Sequence, residues 1–336
     1  MPPVRVNVMS GFAQEAYDLR PSLKATGSLQ WRRTRYAIGD DKFNHYDFNL
    51  HYTAVNPRVG LNWNATSQWN VFGNYAHSQI EPILSEIYAP DDPTSVPLFR
   101  VVDPATHTYQ DPLIHPEKLN DYEAGLGFRH AEQYVRLTGF WMDFRDEIVP
   151  SGQINKFGIP ITGNAARSVH QGVELAGAVS RRLERGMELA LDGNLTLADN
   201  HFIEYRESYG PTPADQVVYD GKPLGFSPEN MANAGARASW KGVSARVEAQ
   251  YAGRVFVDNT GTDANSIAPH TVWNGALSAA GHVAGARTTL TLRGFNLGDL
   301  RYATTGYMDF DSHGALVPQL MPAATRSWLL EARVDW

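Results

Sequence analysis

The sequence predicts an all-β fold, an antiparallel transmembrane β-barrel laid out as a meander of about thirteen strands. Three observations predict it. Apolar and polar side chains alternate along many segments, the connections between them alternate short and long, and the last segment keeps its alternation up to a final aromatic.

The alternation is clearest over 243–257. There Val243, Ala245, Val247, Ala249 and Tyr251 interleave with Ser244, Arg246, Glu248 and Gln250. A strand points successive side chains to opposite faces, so one face is apolar and the other polar or charged. Ala232, Ala234, Ala236, Ala238 and Trp240 repeat the pattern, as do Leu189, Leu191, Leu195 and Leu197, and Val59, Leu61 and Trp63. Thirteen segments read this way: 4–18, 21–37, 56–65, 69–79, 119–130, 133–148, 168–182, 187–200, 229–240, 243–257, 271–280, 286–297 and 325–336. Segments 69–79 and 133–148 carry aromatics on both faces, which leaves their register open.

Short connections fall at 19–21, 66–68, 130–132, 183–186, 241–242 and 281–285, and long ones at 38–55, 80–118, 149–167, 201–228, 258–270 and 298–324. In a meander every second connection lies at the same end, so one end carries tight turns and the other long loops, as in outer-membrane barrels. Ordinary strands run to roughly 5–6 residues, whereas a tilted strand needs about 9–11 to cross a bilayer. Seven tryptophans near segment ends (Trp31, Trp63, Trp69, Trp240, Trp273, Trp328, Trp336) fit interfacial girdles.

Composition sets outer limits. Apolar residues make up 43% and charged residues 19% of the 336, with no cysteine and a net charge of −7. Disulfides, thiolate metal sites and cysteine nucleophiles are excluded, and the absence of a basic face argues against nucleic acid as a partner. No apolar run is long enough for a transmembrane helix. Met1–Arg5 carries no basic-then-apolar export signal. The whole of 1–336 reads as one domain, a barrel portion without a plug and without a signal peptide.

In the last segment Trp328, Leu330, Ala332, Val334 and Trp336 share the apolar face. It resembles the terminal strand by which the outer-membrane assembly machinery recognises its clients, which assigns Trp328, Leu330, Val334 and Trp336 to an assembly signal. Further pieces resemble the TonB-dependent outer-membrane receptors: residues 11–36 with Trp31-Arg32, Asn56–Leu61, Pro82 with Ser85–Tyr88, Pro116–Leu126, Asn164-Ala165 with His170–Leu175, Asn296–Tyr302, and Pro322–Trp336. In order, they span nearly the whole chain. The resemblance implies a 22-stranded barrel plugged by an N-terminal globular domain, of which this chain would supply the last thirteen strands. The expected shape is an open curved sheet or a strained smaller barrel.

That resemblance implies energised uptake of a scarce nutrient, a ferric siderophore first, with cobalamin, haem and glycans as other ligands. The implied place is the bacterial outer membrane of a Gram-negative cell. The implied partners are outer-membrane lipid, the barrel assembly machinery and a small-molecule ligand such as a metal chelate. The TonB energy-coupling complex joins them only if a plug is supplied. The alternatives are a passive outer-membrane pore or adhesin-like barrel, a non-functional fragment, and a soluble all-β carbohydrate-binding or hydrolytic protein.

No enzyme is expected. His-Glu-x-x-His, Gly-x-Ser-x-Gly and phosphate-loop patterns are missing from the sequence, and the eleven histidines lack ligand spacing. No cofactor or resident metal is expected. Candidate ligand contacts lie on the long loops: Tyr88, Phe99, His107, Tyr109 and His115 in 80–118, and Tyr205, Tyr209 and Tyr219 in 201–228. Candidate lumen-facing residues are Arg58, Glu123, Glu174, Arg237, Arg246 and Glu248.

Overall fold

The computed structural model describes residues 4–39, 47–88, 99–103, 105–106, 108–154, 158, 160–208 and 216–335, with side chains of 100–103, 108–110 and 208 left out. All thirteen predicted segments are strands: β1 (Val4–Arg20), β2 (Leu23–Ile38), β3 (Phe48–Asn64), β4 (Trp69–Ile80), β5 (Glu117–His130), β6 (Gln133–Ile154), β7 (Pro160–Arg182), β8 (Glu188–Glu204), β9 (Asn230–Trp240), β10 (Val243–Ala252), β11 (His270–Val283), β12 (Ala286–Phe295) and β13 (Ser327–Asp335). Each pairs antiparallel with its neighbour in chain order, which is a meander. The sheet is open, with β1 and β13 as its two edges.

The sheet also curls. A hairpin after β12 (Ala303–Phe310 with Leu316–Pro322) touches β6 through Met308 beside Gln153, although six steps of the strand order separate β6 from β12. The apolar stripes stay uncovered: Leu61, Leu126, Leu175, Leu191, Val247, Leu277 and Leu330 are all exposed. A soluble sandwich would press these stripes onto a second sheet; here they face outward, and that reading fails. The two segments of open register resolve as well. Tyr75 and Trp141 stand on the outward face, while Phe72 turns inward under the Arg136 guanidinium, 4.2 Å from its ring centre.

The tight end forms as expected. Lys241-Gly242 and Ala284-Gly285 take positive φ at both central residues (47° and 83°, 49° and 86°). That is the turn whose twist matches the flanking strands.

The long end differs from the expectation. Much of 38–55 and 149–167 is strand, because β3 begins at Phe48 and β6 and β7 run on to Ile154 and from Pro160. The period of two continues there, but its sign flips. Below Trp31, β2 is apolar outward. Above it, Arg33 and Arg35 are exposed while Thr34, Tyr36 and Ile38 are buried on the inner side. The same reversal separates Val55 from His51, and Leu197 from Asp199. Segment 243–257 breaks at Gly253-Arg254, beyond which Val255–Phe256 pairs with Ser266–Ile267. The connection 80–118 holds a helical turn (Leu84–Ile87) and the pair Phe99–Asp103 with Thr108–Pro112.

Candidate functional site

The inner wall is a lattice of charge-assisted and amide hydrogen bonds. Arg246 donates to both Asp192 oxygens at 2.7 and 2.8 Å and to Glu248 at 3.2 Å, and Arg237 donates to Glu188 at 2.9 Å. Asn74 donates to Glu123 at 2.8 Å. The register dictates these meetings: Arg237 faces Arg246 across β9–β10, and Asp192 faces Gly235, whose missing side chain leaves room for the Arg246 guanidinium. Glu174 is exposed between Thr138 and Thr196. Arg58, Asn74, Asp121 and Glu123 line a trough on this wall across β3–β5, and one Asp121 oxygen is buried there with no hydrogen-bond partner among the described residues.

At the long end the loops fold into three apolar clusters. In the first, Phe48 meets Tyr88 edge-on at 5.7 Å and Phe99 at 5.1 Å, with Tyr36, Ile38 and Ile87 around them. Glu81 anchors this loop to β2, accepting from Arg32 at 2.5 Å and Thr34 at 2.6 Å. In the second, Tyr205 stacks on Tyr219 at 5.4 Å and meets Phe202 at a tilt at 4.6 Å, above Val149 and Ala165 of the β6–β7 extension. Both tyrosine hydroxyls donate to Glu207. The third joins Val257, Ile267 and Met308 from two further loops. Asn259, buried to 2%, ties them: its amide donates to Pro150 O at 2.9 Å, and its oxygen accepts from Gly225 N at 3.1 Å.

The sequence-predicted loop residues therefore divide. Tyr88, Phe99, Tyr205 and Tyr219 are buried in the clusters that shape the mouth. His115 is exposed; Asn164 accepts its backbone N–H at 2.7 Å, and its ring lies 3.8 Å from Asp146. His107, Tyr209 and the Tyr109 side chain lie outside the described residues, as does Trp336. Trp328, Leu330 and Val334 are exposed on the outward face of β13.

Sequence reasoning missed Glu81, Asn259 and the Glu147 cluster. Glu147 accepts from Ser168 and lies 3.0 Å from His170 Nε2. A positive φ at Asp146 (53°) turns the chain just before it. No motif marks these residues, because strand register brings them together. The carboxylate stands between serine and histidine, so the histidine is not placed to take the serine proton, as nucleophile activation requires. Among the described residues no group of three or more His, Asp or Glu is placed to hold a metal ion. The arrangement is one of hydrogen-bonded polar walls and packed loops.

The sequence profile described as "TonB dependent receptor-like, beta-barrel" matches residues 3–297. The chain belongs to the TonB-dependent receptor β-barrel family. Proteins of this family sit in the Gram-negative outer membrane. Among solved structures, the ferric yersiniabactin uptake receptor FyuA from Yersinia pestis is similar over 99% of this chain and 46% of its own, at 16% identity and a TM-score of 0.70. The siderophore receptor PiuA from Acinetobacter baumannii is similar over 98% and 43%, at 16% identity and 0.70, and the copper transporter OprC over 98% and 47%, at 14% and 0.71. The TonB-dependent receptor barrel seen here thus spans less than half the length of these structures. No curated protein matches it by sequence.

Proposed function

We propose that the chain is part of the barrel of an outer-membrane receptor for energised uptake of a scarce nutrient, a ferric siderophore first. The observation that carries the membrane reading is the height of the outward apolar band. Leu23–Trp31, Val55–Trp63 and Leu189–Leu197 each cover nine residues before the face polarity reverses, and Val243–Tyr251 covers nine before its strand ends. A strand tilted at about 45° crosses a bilayer in about 9–11 residues. Aromatics mark both rims: Trp31, Trp141, Tyr251 and Trp273 above, Trp63, Trp69 and Trp240 below.

Within this reading the polar trough with Arg58, Asp121 and Glu123 faces whatever fills the lumen, and the loop clusters shape the entrance. The long loops capture the ligand, with His107, Tyr109, His115 and Tyr209 as contacts, while Tyr88, Phe99, Tyr205 and Tyr219 hold the loops that bear them. Lipid surrounds the band, the assembly machinery reads Trp328, Leu330, Val334 and Trp336, and the energy-coupling complex acts through a plug supplied with the barrel. The named ligands of FyuA and PiuA support an iron chelate. Deleting the gene and measuring uptake of radiolabelled iron chelates tests this. Loss of uptake for one chelate class, with free ferrous iron unaffected, is the expected result. Unchanged uptake of every iron chelate would overturn the substrate assignment.

A further inference from the structure

We infer that the outward face of β1–β3, above the apolar band, binds the phosphate head group of a membrane lipid. This rests on the barrel reading. Three exposed guanidinium side chains, Arg5, Arg33 and Arg35, gather there with His51. Arg35 faces His51 on one side and Asn7 on the other, two residues from Arg5, and Arg33 faces Thr53 and Met9. Directly opposed residues sit about 5 Å apart at Cβ and diagonal ones about 7–8 Å, so a single phosphate reaches several of them. Arg35 Nε donates to Asn49 at 2.9 Å, while Arg5, Arg33 and His51 have no carboxylate partner among the described residues.

The charge is local. The whole chain carries −7, yet the described strand residues of this face from Arg5 to Asn7, Arg33 to Ala37 and Asn49 to Thr53 include no acid, and the exposed Asp47 lies outside them, just before β3. The inner side of the same strands, by contrast, meets Glu81. Immediately below stand exposed Leu29, Trp31 and Val55, with exposed Met9 level with Arg33. A ligand that satisfies both layers is anionic at one end and apolar at the other. Arginine suits phosphate because its planar fork donates two parallel hydrogen bonds.

The test measures flotation of the full chain with phosphatidylcholine vesicles, with and without about one-fifth phosphatidic acid, taking each cation near an anionic surface to strengthen binding about fivefold. The chain is expected to prefer the phosphatidic acid vesicles by about a hundredfold at low salt, and the variant R5Q/R33Q/R35Q to fall to near parity. The variant R181Q/R182Q/K241Q, which removes as much charge at the tight-turn end, is expected to keep most of the preference. A preference retained by R5Q/R33Q/R35Q, or lost equally in both variants, would overturn the site. Erasure of the preference by millimolar inorganic phosphate would reassign it to free phosphate. A chain that floats with neither vesicle would overturn the barrel reading itself.

Discussion

Leu191 and Asp192 are neighbours in β8 with opposite surroundings: the leucine is 58% exposed on the outward face, and the aspartate receives both terminal nitrogens of Arg246 on the inner wall. In lipid their substitutions separate. Leu191→Arg is expected to cost about 2–4 kcal/mol, the penalty for a cation near the bilayer midplane. Asp192→Asn is expected to cost about 1 kcal/mol or less, because the Arg246 pair is partly hydrated. Urea unfolding from vesicles checks both. An exposed leucine on a water-soluble surface would tolerate arginine to within about 0.5 kcal/mol, and that outcome would place the face in water.

Asn259 serves three loops with one side chain. Asn259→Ala leaves Gly225 N and Pro150 O without their partner in a buried place. An orphaned buried polar group costs about 1–3 kcal/mol. The expected outcome is a joint rise in protease cleavage within 150–154, 223–226 and 255–267, with the strand core still protected. Cleavage confined to the loop that carries the substitution would deny the asparagine its linking role.

Two loop carboxylates titrate in opposite directions. Burial pushes Glu86 above its ordinary value, only partly offset by the Ile83 N–H that it accepts at 2.8 Å. Its folded state holds the proton more tightly, so the loop is stabilised as pH falls through the raised value and weakened above it. The backbone N–H groups of Ala315 and His313 hold Asp311 below its ordinary value. The stability it contributes is complete above the unfolded value and is lost as pH falls through the lowered one. Limited proteolysis between neutral pH and about pH 5, where an ordinary aspartate is still charged, should protect the 81–88 loop and leave 311–315 unchanged. Glu86→Gln, which keeps an acceptor for Ile83, should be protected throughout.

The thirteen strands were legible because one stripe of each must meet a different medium from the other, and a period of two records that in the sequence. The extensions of β3, β6 and β7 were not, because the same period inverts where the strands pass the apolar band. Asn49 and His51 outward with Phe48 and Leu50 inward read as a loop to an eye set for apolar-out. The aromatic loop residues were found, but sequence cannot distinguish a tyrosine that greets a ligand from one that packs under a neighbouring loop, as Tyr88 and Tyr205 do. The Glu147 and Asn259 contacts depend on pairings between distant strands and loops, up to 109 residues apart for Asn259 and Pro150, and no local pattern carries them.

The two-residue turns offer a separation of backbone strain from crowding. Gly242 and Gly285 both sit at positive φ, 83° and 86°. A side chain at Gly285 meets open space, while a Cβ at Gly242 would stand 2.7 Å from the Ala280 carbonyl oxygen. Gly285→Ala is therefore expected to cost only the left-handed backbone, about 1–2 kcal/mol, and Gly242→Ala that plus the displacement of a neighbouring strand. Ala284, at φ 49°, is the converse case: Ala284→Asn is expected to stabilise by several tenths of a kcal/mol, because asparagine tolerates this conformation and alanine does not. Chemical denaturation of the three variants in one lipid checks the order. Equal losses for Gly242→Ala and Gly285→Ala would mean that the strand beside Gly242 gives way without cost.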